Sequence, residues 1–131
     1  MNRKIIIIAL AALLLLTSVG PALAVELPGV QYFTLVGIVE GASLTADGGT
    51  ITVQVYHGNR FIQKNGWIDG QLTVTTEADA EYRQYTPAGC IPATYAIVQP
   101  GKTVSIHGMV SNGTFTGDRI TIGVPLTCCT P

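Results

Sequence analysis

The chain has 131 residues, of which 47% are hydrophobic and 11% are charged, and its formal net charge is −1. This apolar content excludes an intrinsically disordered chain, and the lack of a basic excess argues against strong binding to duplex DNA. A chain of this length fits a single domain.

The first 24 residues have the pattern of a secretory signal peptide. A basic segment at residues 2–4 precedes an unbroken apolar run at residues 5–16, and Ala-Leu-Ala at residues 22–24 matches a cleavage site. The run is shorter than the ~20 residues of a transmembrane helix. We therefore predict a secreted, periplasmic or cell-surface protein of residues 25–131, without a membrane span after cleavage. An uncleaved N-terminal anchor is the alternative.

The mature chain would have 107 residues, since 24 of the 131 are removed with the leader. It retains five lysines and arginines against eight acidic residues, and five minus eight gives a net charge of −3. A chain of about 100 residues buries enough surface to form one core without a structural metal.

Polar and apolar residues alternate in most segments of the mature chain, as in half-buried β-strands. The first predicted strand, residues 30–42, is apolar on both faces, and Gly37 at its middle favours a bulge. Four more predicted strands follow, at residues 50–56, 71–82, 103–110 and 119–124. The residues predicted to share one face of the third strand are Leu72, Val74, Ala78, Ala80 and Tyr82. Because no segment has the period of an amphipathic helix, we predict an all-β protein.

Turn residues separate these strands. Residues 46–49 (Ala-Asp-Gly-Gly) are predicted to reverse the chain after the first strand, and Asn112-Gly113 favours a type I′ turn between the last two. The longest connection, residues 84–101, is rich in proline and glycine, and we interpret it as a functional loop or a short covering flap.

The strand order predicts a small five-stranded OB-like barrel, with a β-sandwich as the alternative. Residues 33–41 (FTLVGIVEG), 49–53 (GTITV) and 101–108 (GKTVSIHG) resemble those of the small exported OB-fold proteins of bacteria and archaea. The resemblance covers most of the mature chain and implies a single barrel domain. The chain departs from it at residues 88–91 and in the cysteine-bearing tail, residues 127–131.

Three cysteines remain after export: Cys90 in the long connection, and Cys128 and Cys129 near the C-terminus. In an oxidising compartment, a disulfide between Cys90 and one of the tail pair is favoured. The third thiol would remain reduced, link a second subunit or take part in exchange. A bond between adjacent Cys128 and Cys129 is disfavoured by strain. Adjacent cysteines also lack the spacing of structural zinc sites, so we expect no metal and no cofactor.

Aromatic and basic side chains are concentrated in two connections and are the candidate ligand-binding residues. In barrels of this type, ligands contact the second and third strands and the adjoining loops. The candidate residues are Tyr56, Arg60, Phe61, Lys64 and Trp67 between these strands, and Tyr85 and Tyr95 in the long connection. The alternative for Phe61 and Trp67 is that they only close an end of the barrel.

Groups capable of catalysis are sparse. Glu77, Asp79 and Glu81 alternate along one strand, which fits a solvated face better than a cation site or paired catalytic carboxylates. The two histidines, His57 and His107, lack an obvious third ligand or a nucleophile motif. We therefore do not expect an enzyme.

The sequence favours an exported, non-catalytic module that binds an extracellular or envelope polymer, such as an oligosaccharide, a peptide or a single-stranded nucleic acid. The first alternative is a homo-oligomeric subunit of a surface layer or filament, with disulfide-linked neighbours. The second alternative is a small secreted enzyme.

Overall fold

The computed structural model describes residues 30–126. The predicted signal peptide, residues 1–24, and the tail cysteines, Cys128 and Cys129, lie outside these residues. The described elements, in chain order, are β1 (Gln31–Thr45), β2 (Gly48–Gly58), the helix α1 (Arg60–Lys64), β3 (Gln71–Thr86), β4 (Gly89–Ala93), a 3₁₀-helix (Tyr95–Ile97), β5 (Thr103–Ser111) and β6 (Thr114–Ile122).

Five of these strands close a barrel. The strand order is β2–β1–β5–β6–β3, and pairing between β2 and β3 completes the ring. β3 and β6 run parallel, whereas β1–β2, β1–β5, β2–β3 and β5–β6 are antiparallel. The predicted all-β, OB-like barrel is therefore confirmed. Among residues 30–126, no helix is long and apolar enough to cross a lipid bilayer.

The inward side chains form one apolar core, as the alternation predicts. Its fully buried members include Phe33, Leu35, Val39, Ile51, Val53, Val55, Ile62, Val74, Val104, Ile106 and Ile120. The apolar residues that alternate along β5 and β6 belong to this core or contact it, with Val104, Ile106, Ile120 and Ile122 in the core and Val110 packed against it. Val124 lies beyond the end of β6 and is half-buried.

Two predicted backbone features are confirmed. The pairing of β1 with β2 shifts register between Val36 and Gly37, which places a bulge at the predicted glycine. A Cβ at Gly37 would collide with the carbonyl oxygen of Gln54 and lie 2.8 Å from Cγ1 of Val53. In the β5–β6 turn, Asn112 and Gly113 have φ of 52° and 80°, the left-handed values that a type I′ turn requires.

The prediction of an irregular connection at residues 84–101 is wrong for the first half of that segment, which forms a hairpin. β3 continues to Thr86, and a two-residue turn leads into β4. This strand is additional to the five of the barrel and pairs with β3 only. The Thr86 hydroxyl donates to the carbonyl oxygen of Gly89 at 2.6 Å and accepts from the N–H of Ala88 at 3.2 Å, closing this turn. Because β4 is short and mostly exposed, it carries little of the alternation that identifies a strand.

Three smaller predictions differ from the structure. Ala78 is exposed, since the β3–β6 pairing shifts register between Thr76 and Glu81, and Thr76 is buried on that face instead. The last strand begins at Thr114, five residues earlier than predicted. The helix α1 was not predicted because its five residues are too few to show a helical period.

Candidate functional site

The candidate site is built around α1, which follows β2 at one end of the barrel. Asn59 caps the helix, because its side-chain oxygen accepts from the N–H of Ile62 at 3.2 Å. The Asn59 N–H donates to the carbonyl oxygen of Thr34 at 3.0 Å, and its side-chain amide donates to that of Tyr32 at 3.3 Å. One residue thus starts the helix and ties it to β1.

The side of α1 that faces the barrel is anchored in the core. Ile62 is fully buried and lies so close to Gly58 that a Cβ there would be 3.0 Å from Cγ1 of Ile62. Phe61 and Trp67 are half-buried, and their ring centroids lie 6.2 and 5.7 Å from that of Phe115. Both rings therefore close this end of the barrel.

An open cleft of about 400 Å³ lies on the outer side of α1. Its lining brings together three of the predicted ligand-binding residues, Arg60, Phe61 and Lys64, with Gln31 and Asn65. Phe61 thus contributes to the closure of the barrel and to the surface of the cleft. The cleft combines two cations, an aromatic ring and two side-chain amides.

The two cations of the cleft are not neutralised by nearby acids. Within residues 30–126, the ion pairs join Arg83 to Glu81 and His107 to Asp118, and neither includes Arg60 or Lys64. These two side chains are four residues apart on α1, so they lie side by side. The cleft therefore holds two adjacent cations without an ion-pair partner in the described chain.

The two amides of the cleft are oriented by backbone contacts. The Gln31 side-chain nitrogen donates to the carbonyl oxygen of Tyr32 at 2.9 Å, and that of Asn65 donates to the carbonyl oxygen of Phe61 at 2.9 Å. Each amide has a nitrogen with two N–H donors and an oxygen that accepts. With one N–H of each amide held by a backbone carbonyl, the oxygen and the second N–H remain to contact a ligand.

The three predicted tyrosines do not line this cleft. Tyr56 is 41% exposed on β2, and Tyr85 and Tyr95 are exposed on β3 and the 3₁₀-helix. Gln84, the neighbour of Tyr85, pairs with Ile122 of β6 at the end of the barrel where β5 begins. That end lies about 20 Å along β5 from the end near α1. A second cleft of about 230 Å³ is found there, and its lining includes neither Tyr85 nor Tyr95.

The predicted acidic row starts on β3 at Glu77, which pairs with Gly48 at the end of the β2–β3 ladder, and continues beyond that ladder. Glu77, Asp79 and Glu81 are exposed, and Glu81 contacts the Arg83 side chain with an Oε2–Nε distance of 2.7 Å. Across residues 30–126, no three histidine, cysteine or acidic side chains converge as metal ligands. The row therefore forms a solvated strand face in the described structure.

The two histidines do not converge. His57 is opposite Val36 on β1, whereas His107 is opposite Thr34 and belongs to β5 on the other side of that strand. The His107 Nδ1 lies 3.1 Å from Asp118 Oδ1, and its ring stacks on Tyr32 with centroids 6.2 Å apart. Asp118 is the extra residue of a bulge between β5 and β6, which accounts for its reach toward His107.

Sequence reasoning missed Gln31, Asn65 and Asp118 as site or cluster residues. Gln31 begins β1 and reaches the cleft only because the barrel brings β1 beside α1. Asn65 ends a helix that was not predicted. The bulge at Asp118 has no signature in the alternation of β6.

Cys90 is exposed on β4, the strand outside the barrel. Both of its predicted disulfide partners lie outside the described residues. The predicted bond stays a prediction.

A comparison of the chain with protein-family models, with curated proteins and with solved structures finds no match.

Proposed function

We propose that the chain is an exported, non-catalytic β-barrel that binds an extracellular or envelope polymer in the cleft beside α1. The observation that carries this proposal is the convergence of Arg60, Phe61 and Lys64 in one open cleft. Pockets for small molecules enclose most of the ligand surface. An open cleft contacts only one side of its ligand, which suits a chain that passes over the protein.

The position of the cleft in the barrel supports the same function. α1 belongs to the connection between β2 and β3, and OB-fold barrels bind oligosaccharides and oligonucleotides near these strands and their loops. The likeness to small exported OB-fold proteins and the leader-like residues 1–24 support an extracellular ligand. The lining favours binding over catalysis, since its cations, amides and aromatic ring are groups that hold a ligand by charge, hydrogen bonds and stacking.

Fluorescence of Trp67 tests this function. It is the only tryptophan of the chain, and its ring packs on Phe115, which also contacts Phe61 in the cleft. We expect a saturable change in emission when the purified protein is titrated with oligosaccharides, peptides or single-stranded DNA. The double variant Arg60→Gln/Lys64→Gln should bind the active titrant about tenfold more weakly, and Lys102→Gln, an exposed lysine in the other cleft, should bind it normally.

Two results would contradict this function. One is that none of the three ligand classes changes the emission of Trp67. The other is that the double variant binds as tightly as Lys102→Gln does.

A second candidate function is assembly through disulfides, and the exposure of Cys90 on the edge strand β4 favours it. Oxidation of two thiols releases two protons and passes two electrons to a disulfide-bearing oxidant of the compartment. An intrachain bond to Cys128 or Cys129 is within reach. Ile122 is two strand spacings from Cys90, about 10 Å, and the six residues from Ile122 to Cys128 span up to about 20 Å.

An intrachain bond leaves one thiol, which could link a second subunit. The subunit number of the native protein, measured with and without reductant, separates the two candidate functions. A mass that falls to one subunit on reduction supports assembly, and a single-subunit mass in both conditions rejects disulfide-linked assembly.

A further inference from the structure

We infer that the polymer bound in the cleft beside α1 is an acidic polysaccharide whose sugar units carry carboxylate groups. This inference rests on the proposed function and specifies its ligand class. It follows from three properties of the cleft: two unneutralised cations, two amide oxygens and one held aromatic ring.

The cations indicate a negatively charged ligand. Arg60 and Lys64 are like charges at positions i and i+4 of α1, an arrangement that slightly destabilises a helix. Arg60 is also the first residue of that helix, where the helix dipole disfavours a cation. Neither residue has an acidic partner among residues 30–126, although acids outnumber cations in the mature chain. A carboxylate bound between them would offset these unfavourable terms.

The amide oxygens indicate that the ligand also donates hydrogen bonds. Gln31 and Asn65 each have the side-chain nitrogen held by a backbone carbonyl, which leaves the oxygen to accept. A sugar carries several hydroxyl donors next to its charged group. A phosphodiester backbone offers only acceptors, so it has no hydrogen to give these two oxygens. The pairing of cations with acceptors therefore favours a polyhydroxylated anion over a nucleic-acid backbone.

The Phe61 ring supplies an apolar surface that is already fixed. It is half-buried and packs on Phe115, so the ring loses little conformational entropy when a ligand binds. The C–H face of a pyranose can lie on the exposed part of this ring, while its carboxylate reaches a cation. An acidic sugar chain uses all three properties together.

Binding of the purified protein to polygalacturonate tests the inference, with Trp67 fluorescence as the readout. The matched ligand control is fully methyl-esterified polygalacturonate, which has the same backbone without the charges. We expect the ester to bind at least tenfold more weakly, and 0.5 M salt to weaken the binding of the acid form but not of the ester. We expect the double variant Arg60→Gln/Lys64→Gln to reduce the difference between the two polymers to less than about threefold.

The variant Gln31→Leu tests the amide contribution separately. We expect it to weaken the binding of polygalacturonate more than that of oligothymidylate, because the sugar hydroxyls can donate to the Gln31 oxygen and backbone phosphates cannot. Gln99→Leu is the matched control and should change neither, because the Gln99 amide is also held by a backbone carbonyl but lies in the second cleft.

Several results would overturn the inference while the proposed function stands. They are equal binding of the acid and the ester, tighter binding of oligothymidylate or polyglutamate than of polygalacturonate, and insensitivity to Gln31→Leu. The absence of binding to every oligosaccharide, peptide and single-stranded DNA would instead overturn the proposed function itself.

Discussion

The ring of Phe115 contacts the rings of Phe33, Phe61 and Trp67, with centroids 5.1, 6.2 and 5.7 Å away. Phe33 and Phe115 are buried in the core, whereas Phe61 and Trp67 are half-buried at the end of the barrel. Packing of this kind transmits the rigidity of a core to the residues above it. The shape of the cleft beside α1 therefore depends on a residue that does not line it.

Two glycines of β1 make a matched pair for testing the bulge. A Cβ at Gly37 meets the carbonyl oxygen of Gln54, whereas a Cβ at Gly41 has nothing within 4 Å. We expect Gly37→Ala to lower the free energy of unfolding by about 1–3 kcal/mol, since backbone must move to admit the methyl group. Gly41→Ala should be neutral or stabilising by up to about 1 kcal/mol. Denaturant unfolding of both variants measures the difference, and equal stabilities would contradict the close approach at Gly37.

At the scale of elements, the strands that line the barrel could be predicted and the elements outside it could not. β2 and β5 alternate strictly because one face packs on the core and the other meets water. β4 has no such contrast, since Cys90, Ile91 and Pro92 are all exposed. α1 is defined by the Asn59 cap and by the burial of one residue, Ile62, which is too little to produce a pattern.

The edge strand β4 contains a proline that limits pairing with a further strand. Thr86 and Gly89 flank a two-residue turn and form a hydrogen-bonded pair, so alternate β4 residues, Cys90 and Pro92, point their backbone groups away from β3. Pro92 has no N–H to offer at that edge, which is where a proline is tolerated in a sheet. Only the backbone groups of Cys90 and the carbonyl of Pro92 face outward.

Replacing this proline tests its effect on pairing. We expect Pro92→Thr to increase self-association at high concentration, because it adds an N–H donor to an exposed edge. Pro87→Ala, in the turn of the same hairpin, is the control and should remain unchanged. Light scattering with reductant present measures the mass of both variants free of disulfide effects. Equal mass for both variants at every concentration would show that Pro92 does not limit edge pairing.

At the scale of the whole molecule, the closure of the barrel decides which predicted residues meet. Arg60, Phe61 and Lys64 are close in sequence and share the cleft, and their grouping could be predicted from spacing alone. Gln31 joins them through the pairing of distant strands, and Tyr85 and Tyr95 are kept at the other end for the same reason. Spacing in the sequence predicts which residues are neighbours within one segment. The register of the strands and the closure of the barrel determine which residues from distant segments meet.

A disulfide between Cys90 and the tail would act on the whole domain. It would close a loop of nearly 40 residues and stabilise the folded state by about 4 kcal/mol in the chain-entropy model. We expect reductant to lower the free energy of unfolding by about that amount in the natural protein and to leave Cys90→Ser unaffected. An equal effect of reductant on both proteins would show that Cys90 is not part of the stabilising bond.

The place of β6 in the barrel has a consequence for the time course of folding. β6 lies between β5 and β3 and pairs Thr116 with Thr75, far back along the chain. Until residues 114–122 are in place, both neighbouring strands keep an open side, and pairing across such long separations is slow. A polypeptide threaded through a translocation pore from its N-terminus would therefore remain unclosed until residues 114–122 emerged, and the arrival of this segment would trigger cooperative folding.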